Sequence, residues 1–127
     1  MANTQALMAQ VYSAFNRRDV EAALATMSEN VDWPKASEGG RVVGKEKIRD
    51  YWTRQWAEFN PYVEPIEVTD IAVTDNETAR TEVKVHQLVK NLNGDILSDQ
   101  TLLHVFTVAN GLIERMDIRE SKTRFWT

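Results

Sequence analysis

From Thr78 to Glu120 the chain reads TARTEVKVHQLVKNLNGDILSDQTLLHVFTVANGLIERMDIRE, and its two Asn-Gly pairs divide the stretch into three extended runs. In the first, Thr78 to Leu92, the apolar residues Val83, Val85 and Val89 recur with the period of two that marks a strand. Asn93-Gly94 and Asn110-Gly111 supply the two residue types that tolerate positive φ in tight hairpin turns. The run between them, Ile96 to Val108, is apolar on both faces, with Leu102, Phe106 and Val108 set against Leu103 and Val105. Such a strand sits centrally in a sheet and is covered twice. Leu112 to Glu120 makes the run after the second turn. Upstream, Ile66, Val68, Ile71 and Val73 make a further strand from about Pro65, joined to the next by a turn at Asp75-Asn76.

Before Pro65 the period changes to that of helices. Ala6, Leu7, Met8, Val11, Ala14 and Phe15 predict a first helix, and Asp19 is a good N-cap for a second, whose stripe is Val20, Ala23, Leu24 and Met27. Ser28-Glu29-Asn30 ends it. Val31-Asp32-Trp33-Pro34 predicts a short extended piece, followed by a loop with Gly39-Gly40 at a hairpin tip. Gly44 opens the longest helix, with Ile48, Trp52, Trp56 and Phe59 on its apolar seam, and Pro61 stops it. The expected fold class is α+β: three helices packed on one face of a strongly curved antiparallel sheet, in a single domain spanning residues 1–127. A bent sheet closed by helices leaves a concave mouth for a small ligand. Its convex face, also partly apolar, needs cover, which predicts a homodimer through that face.

Composition narrows the function. The chain of 127 residues has 15 basic and 19 acidic residues, a net charge of −4, and no Cys. Without Cys there is no thiol nucleophile and no cysteine-held metal site. The basic residues alternate with acidic ones, the longest basic run being Arg17-Arg18, so no nucleic-acid partner and no membrane partner are expected. The first residues carry neither a basic nor an apolar targeting pattern, which makes a cytoplasmic location the default expectation. The glycines do not form a phosphate loop, the two histidines do not converge as metal ligands, and no serine-nucleophile motif occurs, so neither metal nor cofactor is expected.

Five segments taken in order carry a resemblance: YSAFNRRDVEA at 12–22, VDWP at 31–34, GRVVG at 40–44 leading into IRDY at 48–51, and NGLIERMD at 110–117. Together, over essentially the whole chain, they resemble the SnoaL-like branch of the nuclear transport factor 2-like superfamily. The resemblance implies a cone-shaped α+β barrel, commonly dimeric, on which isomerases, cyclases, dehydratases and epoxide hydrolases are all built. Where ketosteroid isomerases carry their catalytic aspartate this chain has Trp33, and where their oxyanion-hole aspartate precedes a strand histidine it has Leu103, before His104. In SnoaL-like cyclases a pocket aspartate serves as acid and base, and LIERMD at 112–117 is similar to that stretch, which implies this role for Asp117. Arg115-Met116-Asp117 is also similar to the Arg-x-Asp of limonene-type epoxide hydrolases. Tyr12 matches the helix position of the isomerases' phenol donor.

The candidate site follows. Asp117 shares a strand face with Ile113, Arg115 and Arg119. Looking into the cone it would act as general acid or base with Arg119 or His86 tuning it; held between Arg115 and Arg119 it would be an ion-pair strut. A two-residue turn at Asn93-Gly94 pairs Leu92 with Asp95, placing His86 on the face of Leu103 and His104 on that of Val83 and Val85. In the arrangement the resemblance implies, the His86 face is the pocket face and His104 lies toward the dimer side. A two-residue turn at Asn110-Gly111 puts Asp117 opposite His104, and a three-residue bulged loop puts it opposite Leu103. Tyr12, Phe15, Trp33, Trp52, Trp56, Leu103 and Arg115 are the expected ligand-binding residues, with Trp33 favouring a flat, apolar molecule by stacking, although Trp52 also reads as plain core. Three functions stay open: a cofactor-independent acid/base enzyme of isomerase, cyclase or dehydratase type; a non-catalytic dimeric ligand-binding or scaffold protein; and an epoxide hydrolase.

Overall fold

The computed structural model describes residues 4–73 and 78–120. In chain order the elements are α1 (Thr4–Arg17), α2 (Val20–Leu24), β1 (Met27–Pro34), β2 (Arg41–Val43), α3 (Lys45–Glu58), β3 (Phe59–Val73), β4 (Thr78–Asn91), β5 (Ile96–Ala109) and β6 (Leu112–Glu120). The six strands form one sheet in the order β2-β1-β6-β5-β4-β3, with three helices against it. The α+β class predicted from the sequence is the one observed. β5 lies between β6 and β4, as expected for a strand apolar on both faces, and Val105 on its outer face is fully buried. The Asp75-Asn76 turn lies outside the described residues. No helix among the described residues is long and apolar enough to cross a membrane.

The sheet is mixed and not antiparallel throughout, because β1 runs parallel to β6, with Met27 beside Ile113 and Asp32 beside Arg115. That pairing also shortens the second helix. Thr26 turns its hydroxyl onto the Ala23 carbonyl at 2.6 Å, while the Thr26 carbonyl accepts the Ile113 N–H at 2.8 Å. Met27, expected on the helix stripe, is therefore the first residue of a strand that starts four residues before Val31. Asp19 caps the helix as expected, accepting from the Ala22 N–H at 3.1 Å.

The long helix also ends earlier than its aromatic seam suggests. Phe59 is extended (φ −132°, ψ 157°) and opens β3, which thus begins before the expected Pro65. Pro61 and Pro65 pair with Val89 and Val85, and a strand can carry them because β3 is the sheet edge, where a missing N–H removes nothing from a neighbour. At the other end of the helix Gly44 has φ 103°, which disfavours any side chain there, and its N–H donates to the Val31 carbonyl at 2.8 Å.

Register decides which side chains face the helices. The hairpin at Asn93-Gly94 is wider than two residues, with Asn91 accepting at its side-chain oxygen from the N–H groups of Asn93 and Asp95. A bulge between Val89 and Lys90 restores the predicted pairing, so Val83 sits opposite His104. At Asn110-Gly111 both residues have positive φ, 54° and 79°, and Ala109 pairs with Leu112 as a two-residue turn requires. Then Val108 pairs with Ile113 but Thr107 with Arg115, leaving Glu114 as the extra residue of a bulge. One inserted residue exchanges the two faces of everything beyond it. Asp117 consequently lies opposite Val105, on the outer face, and neither opposite His104 nor opposite Leu103.

Candidate functional site

The concave face of the sheet and the helices enclose a cavity of about 270 Å³, near the small end for a ligand pocket. α1 contributes Val11, Tyr12 and Phe15; β1 and the loop after it contribute Trp33, Pro34, Ala36 and Ser37; α3 contributes Tyr51, Trp52 and Gln55. The sheet supplies Gln87, Val89, His104, Phe106, Met116 and Ile118. Aromatic rings make a large part of the wall. Trp33 meets Trp52 edge-on with centroids 5.8 Å apart, Phe15 meets Trp52 at 5.5 Å, and Trp56 stacks behind Trp52 at 5.6 Å. The Arg18 guanidinium lies over the Phe15 and Trp56 rings and donates to the Pro61 carbonyl at 2.8 Å, pinning this cluster from outside. Among the described residues, no Asp, Glu, Lys or Arg lines the cavity.

Besides Gln87 and Ser98, its polar groups form two hydrogen-bonded sets. Tyr12 Oη lies 2.6 Å from His104 Nδ1, both side chains being buried, with the rings nearly parallel. Burial lowers the His104 pKa to about 4 and raises that of Tyr12 well above the ordinary phenol value, so both are neutral near pH 7. The phenol's one proton is best satisfied by donation to Nδ1, which leaves the proton of the imidazole on Nε2. That nitrogen is buried and has no hydrogen-bond partner. It is thus a buried donor with no acceptor among the described residues.

The second set lies on α3. Tyr51 Oη accepts from the Ser37 N–H at 3.0 Å and from Gln55 Nε2 at 2.8 Å, and lies 3.2 Å from Ser37 Oγ. Gln55 Oε1 is buried without a partner. The Ser37 loop is itself tied to α3 by Glu38, whose carboxylate accepts from Arg54 Nε at 2.8 Å and Nη2 at 3.0 Å. Trp56 Nε1 is also buried and unpartnered, though Trp56 backs the cavity and does not line it.

Of the ten residues expected at the site, Tyr12, Phe15, Trp33 and Trp52 line the cavity and Trp56 stands behind it. The other five lie on the outer face of the sheet, which corrects the expected placement of each. The Glu114 bulge turns Asp117, Arg115 and Arg119 away from the cavity and points Met116 and Ile118 into it. Asp117 accepts from Arg115 at 2.9 and 3.1 Å and from Arg41 at 3.2 Å, while both arginines also bind Asp32, at 2.9 and 2.6 Å. This closed ring of four charges straps the parallel β1–β6 seam. The hydrogen bond from Arg115 holds the Asp117 carboxyl below its ordinary pKa, the opposite of what a proton-donating acid needs. The ion-pair strut, with Arg41 and Arg115 as its arms, is the arrangement observed. His86 bonds Asp99 at 2.6 Å on the same outer side, and Leu103 is half-buried there.

The predicted register of the histidines is observed, and the assignment of faces is reversed: His104 faces inward. The sequence holds a usable signal, because His104 shares the face of Val83, Val85 and Val89, the more apolar one, whereas His86 shares its face with Lys84 and Lys90. Gln55 and Tyr51 were not anticipated. Their positions lie on the same helix face as Ile48, Trp52 and Trp56, at spacings of three and four, so the helical period held the signal for them.

A family model described as a SnoaL-like domain matches residues 8–116. A comparison with curated proteins found no match. Among solved structures, the chain is similar to a protein of unknown function with the nuclear transport factor 2-like fold from Burkholderia pseudomallei (22% identity, 95% of this chain and 92% of that one, TM-score 0.76). It is also similar to a candidate polyketide cyclase from Xanthomonas campestris (24% identity, 92% and 89% covered, TM-score 0.70). A third similar structure is TerC, co-crystallised with polyporic acid (23% identity, 91% and 88% covered, TM-score 0.74). Identities this low speak for the fold alone, and the architecture agrees with the cone anticipated from the sequence. With the family model spanning both the cavity-lining helices and the strand that carries His104, this chain belongs to the SnoaL-like family of the nuclear transport factor 2-like fold.

Proposed function

We propose that the cavity binds a small, planar, mainly apolar molecule and polarises one of its oxygen atoms through the Nε2–H of His104. The observation that carries this reading is the buried, unpartnered Nε2 in a cavity walled by rings and free of charged side chains among the described residues. A neutral imidazole whose conjugate acid has a pKa of about 4 is a poor base but a good fixed donor. Donation to a carbonyl oxygen stabilises the enolate that forms in an isomerisation, cyclisation or dehydration, and a dry site strengthens the interaction. Asp117 has no part in this reading: His104 Nε2–H, supported at Nδ1 by the Tyr12 hydroxyl, only polarises the oxygen, and the carbon-bound proton is taken by solvent or buffer base. The epoxide hydrolase reading loses support, since the Arg115–Asp117 pair lies outside the cavity.

The lack of a lining carboxylate favours a second reading, a non-catalytic binding protein in which the same donor only orients its ligand. One experiment separates the two. Incubation with a bicyclic ketone such as tetralone in deuterated buffer, followed by proton NMR, reports exchange beside the carbonyl. The enzyme reading predicts accelerated exchange that His104→Gln abolishes while the variant stays folded. Exchange at the same rate in both proteins refutes it, and quenching of tryptophan fluorescence without exchange leaves the binding reading. Two of the similar structures, a candidate polyketide cyclase and TerC co-crystallised with polyporic acid, support a ligand of this general kind. We also propose the homodimer through the outer sheet face, where Leu88 and Leu103 are half-buried beside charged neighbours; sedimentation of a monomer at every concentration overturns it.

A further inference from the structure

We propose that Gln55 is the specificity-determining residue of this cavity, a second polar anchor that selects planar aromatic molecules carrying a hydroxyl donor on one side and an acceptor oxygen on the other. The inference rests on the His104 reading and extends it. Gln55 Oε1 and His104 Nε2 are two buried polar atoms without partners, on two different walls of the cavity, α3 and β5. A line of rings runs between those walls: His104 to Phe106 at 6.3 Å, Phe106 to Trp33 at 6.3 Å, and Trp33 to Trp52 at 5.8 Å. An apolar ligand leaves both atoms unsatisfied, and a ligand with one oxygen satisfies one of them.

In the orientation observed, the amide turns its nitrogen to Tyr51 and leaves its oxygen without a partner. Its nitrogen is bonded to Tyr51 Oη at 2.8 Å, Tyr51 is fully buried, and its oxygen is held in turn by the Ser37 backbone. In this orientation Gln55 Oε1 is an acceptor, complementary to a hydroxyl proton, as His104 Nε2–H is a donor, complementary to a carbonyl. A site built to hydrogen-bond a hydroxyl discriminates strongly against the analogue that lacks it, because the buried group is then left unpaired.

The test uses two probes, naphthaldehyde and a hydroxynaphthaldehyde with its two substituents on opposite rings, and reads affinity by quenching of tryptophan fluorescence. Wild type should bind the hydroxylated probe about tenfold more tightly, the scale of one buried hydrogen bond. Gln55→Leu should erase that preference by weakening only the hydroxylated probe, and His104→Gln should weaken both probes alike. Equal affinity of wild type for the two probes overturns the role of Gln55, and if His104→Gln still weakens both, the His104 reading survives it. Equal weakening of both probes by Gln55→Leu shows a structural residue and overturns the proposal; a thermal melt of that variant identifies the same outcome. Absence of binding by either probe to wild type overturns both readings together.

Discussion

Acidification should destabilise this protein through His104, and replacing that residue should remove the effect. The imidazole is buried with a pKa of about 4, whereas in the unfolded chain it has the ordinary value near 6.5. Between those values the unfolded state binds a proton that the native state refuses, so stability is fully present above about pH 6.5 and is lost as the pH falls toward 4. Each pKa unit of difference corresponds to about 1.4 kcal/mol, which gives a loss of about 2 kcal/mol between about pH 7.5 and about pH 5, and about 3 kcal/mol once pH 4 is reached. Stopping at about pH 5 keeps the carboxylates, Asp117 among them, largely ionised. Urea unfolding at several pH values measures the slope in wild type and in His104→Gln. His86 is present in both proteins, so any contribution from it cancels in the comparison. The variant should show a flatter profile by about 2 kcal/mol over this range; parallel profiles would refute the claim that His104 is held neutral by burial.

Other consequences are as direct. Asp117→Asn should leave ligand affinity unchanged and cost on the order of 1 kcal/mol or less, since the ring it belongs to is partly solvated, with the cost shrinking at high salt; lost affinity in calorimetry would return Asp117 to the site. Tyr12→Phe leaves His104 Nδ1 without its donor and should cost about 1–3 kcal/mol in denaturant unfolding, the penalty of an orphaned buried polar atom. Trp52→Ala removes a fully buried ring between Trp33, Phe15 and Trp56 and should cost about 3–5 kcal/mol; a cost under about 1 kcal/mol would mean that the cluster collapses to refill the space.

The fold was legible where periodicity is strong. Alternation from Thr78 onward and the two Asn-Gly turns specify a meander of long strands, and the doubly apolar β5 names its own central place. The parallel β1–β6 pairing was not legible, because nothing local in MSENVDWP distinguishes a strand lying beside β6 in one direction from the other. The site was half legible. Helical residues such as Tyr12 and Trp52 project from frames whose apolar side is unambiguous. Strand residues depend on parity, and a single bulged residue, Glu114, carries Asp117 from the cavity side to the outer side. Nothing in the ERM sequence at 114–116 announces that bulge. The histidine faces are legible in their neighbours, since Val83, Val85 and Val89 make the His104 face the more apolar one and Lys84 and Lys90 mark the His86 face as the outer one.

The central claim is that His104 presents a neutral Nε2–H to a ligand oxygen inside the cavity. Nitrogen-15 NMR of the imidazole tests it most directly, recorded before and after addition of naphthaldehyde. The account predicts a proton on Nε2 and none on Nδ1 near neutral pH, and a shift of Nε2 when the aldehyde binds. A proton on Nδ1, or a bound aldehyde that leaves Nε2 unmoved, would contradict it.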